Sequence, residues 1–346
     1  MNQTLSKIER AKTEKLALLS LPKEGLTDIP NEVFELEHLT NLNLRDNDIL
    51  SIPREISRLK NLKVLYLDGN NIKKLPEEIF ELSNLEILNI DNNNLKSLPD
   101  NIGSSRRLKR LHISQNDLTE LPKTIGDLSN LEHLYGHSNR ILNLPKEVGH
   151  LEKLTHLNFF NNQLQSLDFD LSQLAELEYL ELGFNEIERL SSTIGKLGKL
   201  KTLSLFDNKL KTVPEELNSL KELTKLNLSY NNLNQISFDL NSMKALAELH
   251  IFANKELKIK QLDILELCNR TPNYPTHSRL IIDQTQGSLI ESYRRRIESS
   301  KIGIVDLDRR RMPEDHYKQI PIELSVRYKL TDPRLEKFRM LREKRK

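Results

Sequence analysis

Leucine and other aliphatic residues recur along most of the chain with a period of 23 residues. With few exceptions they occupy positions 1, 4, 6, 11, 14, 18 and 21 of each unit, whereas positions 3, 5 and 7 are mostly polar. The alternation predicts a short strand with one buried face. A fixed period of this size predicts a solenoid in which each unit adds one strand. Position 9 is asparagine in ten successive units: Asn47, Asn70, Asn93, Asn116, Asn139, Asn162, Asn185, Asn208, Asn231 and Asn254.

These asparagines follow the strand, at the place where the chain turns away from the sheet. An amide side chain both donates and accepts hydrogen bonds, so it can satisfy turn backbone groups that would otherwise be buried and unpaired. We therefore predict a structural role for all ten. Proline at position 15 of seven units predicts an outer side that is extended or forms short helical turns. Asp168, Ser191 and Ser237 replace it in later units, so we expect the outer side to change character after residue 166.

The frame LxxLxLxxNxL, continued by xxLPxxIxxLxx, resembles the leucine-rich repeat, in the 23-residue subtype of bacterial repeat proteins and Ras-associated scaffold proteins. The resemblance covers residues 16–257. It implies an α/β solenoid, a curved leucine-rich-repeat horseshoe with a parallel concave sheet and an extended or short-helical convex side. We expect about eleven strands, roughly 4.8 Å apart. The resemblance also implies a non-enzymatic scaffold or recognition protein that binds a protein or peptide partner through its concave face.

Four segments follow from this pattern: an N-terminal cap helix (1–15), the repeat array (16–257), a C-terminal cap and linker (258–278) and a basic extension without the repeat (279–346). Leu5 and Ile8 are spaced to share a helix face that can cover the first unit. Cys268 is expected to pack in the C-terminal cap as a small hydrophobe. Within the extension, a strand is predicted at 301–308.

One buried position departs from the frame. Gly136 stands at position 6, where the other units carry leucine, isoleucine or phenylalanine, and the next unit carries Phe159 there. We interpret the two as a small–large pair, in which the phenyl ring fills the space that the missing side chain leaves. An uncompensated void would cost about 2–5 kcal/mol. The alternative, close approach of a ligand to the Gly136 backbone, stays open.

Aromatic and histidine side chains collect at positions 3, 5, 7 and 8, which the alternation places on the solvent side of the sheet. Because packing does not require them there, we interpret them as contacts for a protein or peptide partner. The alternative is that each ring only covers its neighbour on the sheet. The candidate partner-binding residues are Tyr66, His112, His133, Tyr135, His137, His156, Phe160, Tyr179, Phe184, Phe206, Tyr230 and Phe252.

The N-terminal part of the same face is acidic. It carries Asp46, Asp48, Asp68, Asp91 and Asp117. Double-stranded nucleic acid requires a basic surface, so this zone favours a protein or peptide. Adjacent histidines in the middle of the face could hold zinc, but no cysteine or repeated carboxylate completes a site, so we predict no metal.

The charge of the chain is unevenly distributed. Its net charge is +2, yet residues 279–346 contain 18 basic and 11 acidic residues. Two arginine triplets lie in this extension, Arg294–Arg296 and Arg309–Arg311. Nucleic acid or an anionic surface is therefore a possible partner only through the basic extension.

Catalysis is not expected, and neither is a cofactor. The sequence contains no phosphate loop, and Cys268 is the single cysteine, with no histidine near enough in sequence to activate it. A ligase-type or host-directed effector, in which the array selects the substrate, stays open as the alternative. The polar start of the chain and the lack of a long apolar run favour a cytoplasmic protein without a membrane span. Export without a signal peptide stays open.

Overall fold

The computed structural model describes residues 2–167, 169–251, 253–254, 257, 279–283 and 303–307. Within these residues one α-helix, α1 (Asn2–Thr13), precedes a single parallel sheet. Each repeat unit contributes one three-residue strand at positions 3 to 5. The repeat strands are β1 (Leu18–Ser20), β2 (Asn41–Asn43), β3 (Val64–Tyr66), β4 (Ile87–Asn89), β5 (Arg110–His112), β6 (His133–Tyr135), β7 (His156–Asn158), β8 (Tyr179–Glu181), β9 (Thr202–Ser204), β10 (Lys225–Asn227) and β11 (Glu248–His250).

The strands pair in chain order and in the same register throughout. Leu42 lies opposite Leu65, Leu65 opposite Leu88, and so on, because every unit has the same length. The central leucine of each of these strands is buried, while the residue on either side of it is at least partly exposed in all but one case. The predicted solenoid with eleven parallel repeat strands is confirmed. We call the side of the sheet that carries positions 3, 5, 7, 8 and 10 the sheet face.

The sheet does not end with the repeat. Strands β12 (Arg279–Asp283) and β13 (Gly303–Leu307) continue it in parallel after β11. The strand predicted at 301–308 is confirmed, whereas β12 was not predicted, because 31 residues rather than 23 separate Leu249 from its partner Leu280. The boundaries of the cap, linker and extension stay predictions. Cys268, both arginine triplets and the predicted linker lie outside the described residues.

The asparagines at position 9 form a ladder of buried hydrogen bonds. Asn162 is typical: its Nδ2 donates to the carbonyls of Gly136 (3.0 Å) and Phe159 (3.1 Å), and its Oδ1 accepts from the Ile141 amide (3.1 Å). Each amide group thus joins its own turn to the preceding unit. All ten are at least nine-tenths buried.

The first unit carries Glu24 in place of the asparagine and uses it to hold the cap helix. The Glu24 carboxylate accepts hydrogen bonds from Lys7 and from Thr4, 2.7 Å away, both on α1. These two hydrogen bonds lower the pKa of Glu24 below its ordinary value. The buried face of α1 carries Thr4, Ile8 and Ala11. The expectation for Leu5 is wrong, since it is 41% exposed: one residue after Thr4, it points away from the buried face.

Short 3₁₀ helices line the outer side: Asn31–Glu35, Arg54–Arg58, Glu77–Glu81, Asp100–Ser104, Lys123–Asp127, Lys146–His150, Leu171–Gln173, Ser192–Lys196, Glu215–Ser219 and Leu240–Ser242. Where proline is present it precedes the helix, and its carbonyl accepts the first helical hydrogen bond. In later units Asp170 and Ser191 cap the helix with a side chain instead. The outer side changes less than expected: the helices persist, and two of the three in units lacking proline shorten to three residues.

The small–large pair is confirmed. A Cβ atom at Gly136 would lie 2.4 Å from Cε1 of Phe159, so the phenyl ring occupies the space of the missing side chain. Phe159 is fully buried.

No helix in the described part of the chain has the length and apolarity needed to cross a membrane.

Candidate partner-binding face

Three rings stack across neighbouring strands in the middle of the sheet face. His133 and His156 are register partners on β6 and β7, and their rings are 4.3 Å apart and nearly parallel. Tyr179 on β8 continues the stack, 4.3 Å from His156. We call these three residues the ring stack. The distance between neighbouring strands of a parallel sheet is close to the distance between two stacked rings. Rings at the same position of successive units therefore come close enough to stack.

Tyr135 connects the ring stack, which lies at position 3, to the row of side chains at position 5. Its hydroxyl is 2.9 Å from Nδ1 of His133, and its ring is 4.7 Å from that of His112 on β5. His137 lies two residues beyond the end of β6, with Nδ1 3.5 Å from the Ser138 hydroxyl. Tyr66 is apart from this group, on β3, where the Arg45 guanidinium lies 4.6 Å from its ring centroid.

A second row of rings lies beyond the strand ends, at positions 7 and 8. Phe160, Phe184, Phe206 and Tyr230 follow one another at centroid distances of 5.0, 5.1 and 5.1 Å. We call these four residues the aromatic ridge. Phe252 lies outside the described residues. The side chains of both groups are neither buried nor fully exposed, because each ring leans on its neighbours. Both interpretations, partner contact and mutual cover, are compatible with this packing.

The backbone under the ridge bears on the choice between them. Position 8 has a positive φ in every repeat unit, and most units place a small or polar residue or glycine there. Phe184 (φ 53°) and Tyr230 (φ 56°) are the exceptions. A bulky side chain in the left-handed region costs about 1–2 kcal/mol. Stability alone therefore does not account for aromatic residues at these two positions.

We expect Phe184→Gly to be more stable than Phe184→Ala by about 1 kcal/mol, because glycine adopts positive φ without strain. Phe206 is the matched control: it belongs to the same ridge but lacks a positive φ. There the order should reverse, with Phe206→Gly about 0.5–1 kcal/mol less stable than Phe206→Ala. All four variants lack the ring, so the loss of ring contacts cancels when glycine and alanine are compared at the same site. Urea denaturation of the four variants measures the difference, and the same order at both sites would contradict the strain.

Glu181 is a residue of the same face that sequence reasoning did not single out. It is the last residue of β8, at position 5, between the ring stack and the ridge. Burial raises the pKa of Glu181 to about 7, although a hydrogen bond with Ser204 and the charge of Lys225 act in the opposite direction. The signal in the sequence is that no other unit has an acidic residue at position 5.

The acidic zone is less negative than its composition suggests. Arg140 contacts Asp117 at 2.8 Å, while Asp46, Asp68 and Asp91 have a basic group or histidine within 4 Å. Burial raises the pKa of Asp68 despite the nearby Arg45. A groove of about 510 Å³ runs along the turns of this zone, lined by Asp48, Asp117 and asparagines of three units. Among the described residues, no three His, Cys, Asp or Glu side chains converge to hold a metal ion.

Sequence models of the leucine-rich repeat match most of the array. A leucine-rich repeat region matches residues 55–168, a second repeat model matches 14–72 and 175–233, and a two-copy model matches 152–194. A leucine-rich repeat protein from Leptospira interrogans has a similar structure, with 31% identity and a TM-score of 0.71. The match covers 80% of this chain and 70% of that chain. The chain belongs to the leucine-rich repeat family.

Other leucine-rich repeat structures are similar over comparable lengths. The functional domain of InlJ from Listeria monocytogenes is 25% identical with a TM-score of 0.64, over 85% of this chain and 60% of that chain. The receptor kinase ectodomain GASSHO1/SCHENGEN3 from Arabidopsis thaliana is 25% identical with a TM-score of 0.61. That match covers 81% of this chain but only 34% of the ectodomain. No curated protein matches the chain in sequence.

Proposed function

We propose that this leucine-rich repeat protein is a non-enzymatic recognition module that binds an extended segment of a protein partner across the ring stack and the aromatic ridge. The observation that carries the proposal is the pair Phe184 and Tyr230, aromatic residues held at positive φ. The positive φ belongs to the repeat turn in every unit, but the turn does not require a bulky residue there, and residues held under strain are characteristic of binding and active sites. As finer parts of the proposal, the repeats belong to the 23-residue subtype, and the protein acts as a cytoplasmic signalling scaffold.

The dimensions of the ridge suit an extended segment. From Phe160 to Tyr230 the successive ring centroids cover about 15 Å. An extended chain rises about 3.3 Å per residue, so roughly five partner residues would span it. Rings that already lean on one another lose little conformational freedom on binding. Clustered, preorganised aromatic side chains of this kind are typical of interface hot spots.

A similar protein is recorded with a bound factor. The Arabidopsis ectodomain described above was determined in complex with CASPARIAN STRIP INTEGRITY FACTOR 2. The present chain spans only 34% of that ectodomain, so the likeness supports ligand binding by the repeat surface and no particular ligand.

The test is selection of peptides from a random display library on the full-length chain, followed by affinity measurement with one selected peptide. We expect the triple variant Tyr135→Ala, His156→Ala and Phe160→Ala to lose affinity by about a hundredfold or more, since hot-spot residues each contribute about 2 kcal/mol or more. The variant should remain folded, because none of the three side chains belongs to the buried core.

The matched control is the double variant Leu50→Ala and Leu142→Ala. These leucines are 52% and 45% exposed and lie at position 12, off the sheet face. Their removal takes away exposed apolar surface without touching the proposed site, so affinity should be unchanged. Equal binding by the triple variant, or equal losses in both variants, would contradict the proposal.

A further inference from the structure

Glu181 has an unusual place among the residues of the sheet face. Position 5 forms a row across the eleven repeat strands, from Ser20 to His250, and Glu181 is its one acidic residue. Its neighbours in the row are Asn158 on β7 and Ser204 on β9. No ion pair involves the Glu181 carboxylate among the described residues, whereas two other carboxylates on this part of the face have one. Glu186 of the same unit, for example, pairs with Lys209 at 2.8 Å.

Aromatic groups lie on both sides of Glu181 along its strand. Tyr179, the end of the ring stack, is two residues before it, and Gly183 is two residues after it. The ring of Phe160 lies over Gly183: a Cβ atom there would be 3.1 Å from Cδ2 of Phe160. The missing side chain thus brings Phe160 across toward β8. Along the sheet face, Glu181 therefore lies between the end of the ring stack and the first ring of the ridge.

We propose that the partner segment places a cationic side chain, a guanidinium or an ammonium, on Glu181 between the rings of Tyr179 and Phe160. This inference rests on the proposed function and names the chemistry at the centre of the same face. A carboxylate with aromatic groups on both sides attracts a cation twice, through charge and through the ring quadrupoles. A guanidinium suits the site best, since it also stacks on aromatic rings.

The electrostatics of the free protein agree with a carboxylate whose opposite charge is supplied by the partner. Burial raises the pKa of Glu181 to about 7, so its ionised form is disfavoured until a cation arrives. Lys225, whose charge acts on Glu181, is already engaged by Glu248 at 3.4 Å. Strongly perturbed carboxylates in a cleft are candidates for functional groups.

The experiment selects peptides from the same random display library on the full-length wild-type chain and on Glu181→Gln. Glutamine keeps the size of the side chain and its capacity to accept a hydrogen bond from Ser204. Wild-type selection is expected to enrich arginine or lysine at one position beside apolar residues. Selection on Glu181→Gln should keep the apolar preference and lose the basic one. Glu186→Gln removes a charge from the same unit and should behave as wild type.

A double-mutant cycle with one selected peptide then measures the contact between its basic residue and Glu181. Replacing its basic residue by a neutral isostere, citrulline for arginine, is expected to weaken binding to the wild type about ten- to hundredfold, the value of a charge-assisted contact. The same replacement should change binding to Glu181→Gln little, because the partner charge is already gone.

Binding should also depend on pH. A bound cation favours the carboxylate, so affinity is expected to fall about tenfold from pH 8 to pH 6 as Glu181 takes up a proton. His133, His156 and His250, together with Lys225, Glu248 and Tyr179, are the other titratable groups on the packed strands β6 to β11 near the site. Glu181→Gln measures the contribution of these groups to the pH dependence of affinity. In this variant the tenfold fall in affinity from pH 8 to pH 6 should disappear.

The possible failures are distinguishable. Selected peptides that share apolar residues but no basic position would overturn the cation site and leave the proposed function standing. A citrulline replacement that weakens binding equally to wild type and to Glu181→Gln would do the same. Failure of the wild type to select any peptide, or selected peptides that bind the triple alanine variant equally well, would overturn both.

Discussion

Replacing Asn185 by alanine is expected to lower the free energy of unfolding by about 3–5 kcal/mol. Nδ2 of Asn185 donates to the carbonyls of Phe159 and Leu182, each at 2.9 Å, and its Oδ1 accepts from the Leu164 amide at 3.0 Å. Alanine leaves the buried Leu164 amide without this acceptor and opens a small cavity. A buried unsatisfied backbone group alone costs about 1–3 kcal/mol, and the two carbonyls lose a donor as well.

Asn61→Ala is the matched control. Asn61 also donates to a carbonyl of the preceding unit, that of Glu37 at 2.9 Å, but it lies exposed on the outer side. Water can replace the lost hydrogen bond there, so the change should stay below about 1 kcal/mol. Urea denaturation measures both variants. A loss at Asn185 no larger than that at Asn61 would show that the ladder is not a main source of stability.

The contrast between these two asparagines also shows why so much of the fold could be predicted. A buried turn with unpaired backbone groups strongly favours one residue type, and the turn recurs at a fixed spacing. The strands, their register and the ladder were therefore predictable from the period. Gly136 and Phe159 were predictable for the same reason, since an exception is visible against ten regular copies.

Other features depend on particular neighbours and were not visible in the period. The positive φ at position 8 is hidden, because residues from glycine to phenylalanine occupy it. Leu5 was assigned to the wrong face, because a spacing of three from Ile8 was considered without Thr4 and Ala11. The strand β12 was missed because its distance from β11 departs from the repeat.

Glu181 shows the same limit at the candidate site. An isolated glutamate between polar residues is ordinarily interpreted as a solvated charge. Its surroundings depend on two neighbouring units together: Gly183 leaves space two residues after it, and Phe160 of the preceding unit fills that space. The candidate partner-binding residues were chosen by a simpler criterion, that packing does not require rings on the sheet face. Their assignment to a partner stays a proposal.

The burial of Glu181 leads to a second large effect, on the pH dependence of stability. The ordinary pKa of this carboxyl is 4.5, and the folded protein raises it to about 7. The folded state thus binds the proton more tightly than the unfolded state. Stability associated with this group is fully present below pH 4.5, falls as the pH rises, and is lost above pH 7. At pH 8 the ionised carboxylate should cost about 2–3 kcal/mol, less than the full pKa shift implies because the residue keeps some contact with water.

Glu181→Gln is therefore expected to be more stable than the wild type by about 2–3 kcal/mol at pH 8 and by less than about 1 kcal/mol at pH 5. Glutamine cannot ionise, so the variant avoids the cost that appears on deprotonation. Glu186→Gln is the control: Glu186 is about half exposed and paired with Lys209, so its difference from wild type should stay small at both pH values. Urea denaturation of the three proteins at the two pH values gives the result, and a Glu181→Gln difference that does not grow with pH would contradict the burial of this charge. A variant that gains stability while losing its preference for basic peptides would show that the free protein retains the buried carboxylate for binding and not for folding.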